Sequence, residues 1–152
     1  MHDVIPTRHG SERSSLAAAL GCFAVAGVAT VAVDHIALTI GATGLAVGGV
    51  ACLARYARSV TRKRLAATAL GLWLSFLGVA VAHAVGLEPV GSSVPGPTRV
   101  TVVGLTAITW ATLLAAAGAT IFLGFREYGA STPAEELDEQ VFDGETTDYS
   151  TR

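Results

Sequence analysis

Four long apolar blocks alternate with short polar stretches, and the lengths of the two kinds of segment set the expected architecture. The blocks cover about residues 15–33, 36–54, 65–87 and 101–125. Each approaches or exceeds the roughly 20 residues a helix needs to cross a bilayer core. The first two are interrupted only at Asp34-His35. One helix through both could not remain in the membrane, and Asp34 would be costly at its centre. The chain therefore turns at Val33-Asp34-His35-Ile36, which predicts a helical hairpin. Between the third and fourth blocks lies Glu88–Arg99, where Pro89, Pro95 and Pro97 exclude a helix and mark an exposed connector. No segment reads as a strand. The expected fold is all-α, a bundle of four transmembrane helices built from two hairpins, with the domain spanning residues 15–125.

Charge orients this arrangement. Arg55, Arg58, Arg62, Lys63 and Arg64 fall within ten residues, between the second and third spans. Basic residues beside helix ends are retained on the cytoplasmic side during insertion. The opposite connector carries Arg99 alone. A multi-pass protein of the cell membrane with both termini cytoplasmic is the expected topology. Composition agrees: charged residues are 14% of the chain and mean hydropathy is +0.54, against about a quarter charged in a soluble domain.

The net charge of −2 conceals an asymmetry. Residues 126–152 contain eight acids and two Arg, whereas residues 1–125 contain four acids and eight basic residues. Met1 to Arg13 are polar and form no periodic face. Residues 1–14 therefore read as a cytoplasmic extension, with Ser14 or Ser15 capping the first helix. The acidic stretch 126–152 cannot build a core and reads as a disordered cytoplasmic tail. Within it, Thr132-Pro-Ala-Glu135 has the form of a capping box. A short helix after it would bring Leu137, Val141 and Phe142 together as a docking face for a partner protein. Solvation alone is the competing role of the tail. Its charge opposes nucleic-acid binding, since phosphate would be repelled.

The acid-rich tail, the single Lys63 and the Ala-, Val-, Gly- and Thr-rich spans together resemble small multi-span membrane proteins of halophilic archaea. The resemblance is compositional and covers the whole chain. It implies that the acidic tail suits a salty cytoplasm, and it assigns no activity or functional residue.

Lipid does not drive apolar helices together, so association relies on close packing through small residues. Stripes of this kind are Gly44 and Gly48 on the second span, Gly71, Ser75, Gly78 and Ala82 on the third, and Gly104, Ala111, Ala115 and Gly118 on the fourth. They suit packing within the bundle and equally suit self-association into a homo-oligomer. Trp73 and Trp110 lie mid-span, where bulky packing beside small residues is favoured over a cofactor box. Cys22 and Cys52 sit inside apolar blocks, as small hydrophobes do.

Chemistry has few footholds. His83 is the one ionisable group well inside a span, and such a group raises a functional hypothesis. With Asp34, His35 and Glu88 on the same side of the membrane, it could contribute to a metal site. His83 and His35 could serve as axial ligands of a haem. A neutral His83 bonded to a nearby backbone group is the favoured alternative, and no cofactor is expected. No nucleophile with a base and no phosphate-binding loop is visible. The reading is a non-enzymatic membrane protein that assembles with other membrane or cytoplasmic proteins. A transporter or channel component, and a redox subunit using His83 and His35, are the rival readings.

Overall fold

The structure, a computed structural model, describes residues 8–32, 36–86 and 97–129. Asp34, His35, Glu88, Leu137, Val141 and Phe142 lie outside the described residues. Four helices follow in order: α1 (Arg8–Ala32), α2 (Ile36–Ser59), α3 (Arg62–Val85) and α4 (Thr98–Tyr128). All four are long and apolar enough to cross a membrane. The expected all-α architecture of four apolar helices is the one observed.

The helices overrun the apolar blocks at their polar ends. α1 begins at Arg8, so residues 8–14 are helical and do not form an extension ahead of it. Ser14 and Ser15 cap nothing; both hydroxyls donate to the Ser11 carbonyl inside the helix at 2.9 Å. A helix satisfies its own backbone in water as well as in lipid, so it need not stop where the apolar residues stop. Glu12, on the added turn, is held by Arg64 from α3. The basic loop likewise shrinks to Val60-Thr61, with Arg55 and Arg58 on α2 and Arg62, Lys63 and Arg64 on α3. Thr61 adopts extended backbone (φ −69°, ψ 157°), and its hydroxyl accepts the Arg64 N–H at 3.4 Å, a side-chain N-cap. At the far end of α3, Gly86 holds φ at 104°, the left-handed region where a side chain would be strained, and its N–H closes on the His83 carbonyl.

α1 packs along α2, α3 along α4, and α1 along α4, which joins the two hairpins; α2 also touches α4. Ala26 and Ala42 are buried farther out, but the main cluster of buried side chains lies toward the basic end of the bundle. There Ala19 and Phe23 from α1 meet Leu53, Tyr56 and Ala57 from α2, Leu65 and Ala69 from α3, and Ala115 and Ala119 from α4. No residue of α3 beyond Ala69 is buried. Its outer part turns Leu70, Leu74, Leu77, Val81 and Val85 outward, a stripe suited to lipid. α3 thus joins the bundle at its basic end and along α4, and leaves much of its surface uncovered.

Candidate functional site

The densest set of polar interactions lies where α1 starts, α2 and α3 meet and α4 ends. Arg126, in the last turn of α4, donates from Nη1 to the carbonyls of Ala57 and Val60, both at 2.9 Å. The final carbonyls of a helix lack intrahelical donors, and here a guanidinium from another helix caps α2. Arg62 pairs with Glu127 at 3.2 Å and donates to the Arg126 carbonyl, also at 3.2 Å. Arg64 meets Glu12 at 2.6 Å. Tyr56 Oη lies 2.8 Å from Thr68 Oγ1. Because the Thr68 hydroxyl already donates to the Arg64 carbonyl at 2.8 Å, it must accept from Tyr56.

Exposure ranks these contacts. Glu12 has a side chain only 12% exposed, whereas the Glu127 side chain is 60% exposed. Solvent screens the second pair and contributes little net stability, about 0–1 kcal/mol. Glu12→Gln is therefore expected to lower the thermal midpoint in detergent clearly more than Glu127→Gln. An equal loss would contradict this ranking. Tyr56 is buried, and Tyr56→Phe leaves Thr68 its backbone bond while removing one donor. A loss of about 1 kcal/mol is expected in the same assay.

The basic residues expected to set topology are thus drawn to one end of the bundle. Among the described residues, Arg8, Arg13, Arg55, Arg58, Arg62, Lys63, Arg64 and Arg126 share that end with only Glu12 and Glu127, and the other end carries Arg99. The sequence reading missed the capping role of Arg126. An Arg in the last turn of a span looks like an interfacial anchor whether or not another helix ends beside it.

His83 is half-buried on α3, and its Nδ1 donates to the Val79 carbonyl one turn back at 3.0 Å. The other residues expected near it, Asp34, His35 and Glu88, lie outside the described residues. Among the described residues no three His, Cys, Asp or Glu groups gather as a metal site would require. Trp73 donates from Nε1 to Thr120 Oγ1 at 3.2 Å and meets Phe76 edge to face at 5.9 Å. It ties α3 to α4. Trp110 packs against Gly27 and so ties α4 to α1.

The small residues divide into two groups. Ala111 and Ala115 are buried in the core, and Gly118 lies against Leu53. Gly44, Gly48, Gly71, Gly78 and Gly104 instead have open space where a side chain would stand. Ser75 is exposed, its hydroxyl returned to the Gly71 carbonyl, and Ala82 is partly covered. Besides Gly118, the close approaches within the chain occur at two glycines outside the expected stripes, Gly27 against Trp110 and Gly49 against Phe23. Their bulky partners were visible in the sequence, but which glycine each would meet was not.

Four apolar helices in two antiparallel hairpins, with their charge at the ends, define a multi-pass membrane protein. No family model, curated protein or solved structure matches the chain.

Proposed function

We propose that this chain is a non-enzymatic membrane protein that works by lateral assembly, with copies of itself or with other membrane proteins. The carrying observation is the open space at Gly44 and Gly48 on α2, Gly71 and Gly78 on α3 and Gly104 on α4. Glycine gives lipid little to contact and weakens a helix relative to alanine by up to about 1 kcal/mol. Its usual return in a span is the close approach of another helix. From the described residues of one chain these five positions receive none. The basic end lies in the cytoplasm on this reading, by the retention of Arg and Lys there, and the tail's Leu137, Val141 and Phe142 offer a second contact.

The test is purification of the full chain in mild detergent, beside a Gly44→Leu/Gly48→Leu double variant, with mass measured by light scattering and co-purifying chains identified. The wild type is expected to emerge as an assembly. The double variant is expected to emerge as a single chain with its thermal midpoint retained. A wild type that emerges alone and as a single chain overturns the proposal. A chain ending at Arg126 separates contacts made by the spans from those made by the tail.

A further inference from the structure

The geometry points to a binding site for an anionic phospholipid between the ends of α2 and α4. An open cavity of about 380 Å³ lies there, walled by Ala54, Ala57, Phe122 and Phe125 and rimmed by Arg58 and Arg126. The lining runs one turn along each helix, from Ala54 to Arg58 and from Phe122 to Arg126. That is a depth of roughly 6 Å at 1.5 Å per residue. The charged rim is at the helix ends and the apolar walls are toward the membrane centre, which is the order of charge and hydrocarbon in a phospholipid. Basic clefts between spans at the membrane surface recognise anionic headgroups in this way.

The two guanidinium groups differ in what they leave free. Arg126 is fixed by the Ala57 and Val60 carbonyls through Nη1 alone. A guanidinium has five N–H donors, and those on Nε and Nη2 have no acceptor among the described residues. Arg58 has no carboxylate partner among the described residues. Both helices end here, and each terminus carries partial negative charge that opposes an anion. Arg126 offsets it directly at α2, and among the described residues of this end the basic groups outnumber the acidic ones. A phosphate diester fits the remaining donors, and its first acyl carbons fit against Phe122 and Phe125. The chemistry recognised is a phosphate, and the apolar walls select the phosphate of a lipid over a free one.

Native mass spectrometry of the full chain in mild detergent tests the site, with phosphatidylglycerol and phosphatidylcholine of identical acyl chains as probes and glycerol 3-phosphate as the soluble comparison. Phosphatidylglycerol is expected to be retained about fivefold better than phosphatidylcholine, the scale set by one basic residue at a membrane surface. Arg58→Gln is expected to abolish that preference. Ala54→Phe keeps both guanidinium groups but fills the cavity, and is expected to lower retention of phosphatidylglycerol as well. Glycerol 3-phosphate is expected to bind at least about tenfold more weakly, because burial of acyl carbons is absent. Undiminished preference in both variants, equal retention of the two lipids by the wild type, or equal binding of glycerol 3-phosphate overturns the proposal. So does a zero-length cross-link in Arg58→Lys that joins position 58 to the acidic tail while phosphatidylglycerol is not retained. Gly44 and Gly48 line no part of this cavity, so loss of lipid preference and loss of assembly are separately read.

Discussion

Gly27→Ala is expected to lower the stability of the bundle by about 2–3 kcal/mol, the upper part of the range for an overpacked site. A Cβ at position 27 would overlap the Cβ and Cγ of Trp110. The Trp110 Cβ does not move when χ1 turns, so rotation about χ1 cannot remove the clash. Either α1 or α4 must move. The α1–α4 contact joins the two hairpins, and displacing it disturbs more than one residue. Gly49→Ala meets a related obstacle, with the Phe23 ring 2.6 Å from the added carbon and Phe23 only 1% exposed. Gly118→Ala meets the Cδ2 of Leu53 at 2.7 Å. That atom is at the far end of a side chain, but Leu53 is fully buried, so its freedom to yield is limited. Gly48→Ala and Gly78→Ala meet nothing. The expected order of loss is Gly27, Gly49, Gly118, then Gly48 and Gly78 with none. Thermal unfolding of single-chain preparations in mild detergent checks it. A loss at Gly48 equal to that at Gly27 would place the GxxxG of α2 inside the bundle and remove the observation on which lateral assembly rests.

That ordering also marks where the sequence stops being informative. Four spans and two hairpins were legible because they depend on local quantities, the length of an apolar run and the polarity of what interrupts it. Asp34-His35 and the three prolines after Glu88 divide the chain without reference to any contact. Which face of each helix turns inward is different. A soluble helix advertises its buried face by polar residues on the other, whereas these spans are apolar all round. The chain has seventeen glycines, and a glycine has the same neighbours in sequence whether it faces a helix or lipid. The GxxxG of α2 was the most visible pattern, yet α2 contacts the core through Leu53, Tyr56 and Ala57. A glycine next to the visible motif, Gly49, receives Phe23. Helix ends were misread for a related reason. Polar residues end an apolar run without ending a helix, as Arg8–Ser14 of α1 and Arg62–Arg64 of α3 demonstrate.

Arg126→Gln is the second large effect expected, a loss of about 2 kcal/mol, within the range for hydrogen bonds made by a charged group. Its Nη1 reaches two carbonyls, Ala57 in the last turn of α2 and Val60 in the turn toward α3. Both residues are buried, so neither carbonyl recovers full hydration when the donor is lost. Glutamine is shorter and offers one amide in place of the fork, and it cannot span the same pair of acceptors. Arg126→Lys keeps the charge but concentrates it at a point, and an intermediate loss is expected. The contact has a topological consequence beyond its energy. It is the bond that fastens the end of α4 to the end of α2, while Arg62 fastens α3 to the same turn through Glu127 and the Arg126 carbonyl. α4 is held along its length by α1 and α3, so removing the cap should release the α2–α3 turn before the rest of the bundle. Amide exchange near Val60 and Thr61 is therefore expected to accelerate in Arg126→Gln by more than exchange at Ala115 or Ala119 in the middle of α4. Uniform acceleration at all of these positions would mean that the guanidinium supports the whole bundle and not the turn it caps.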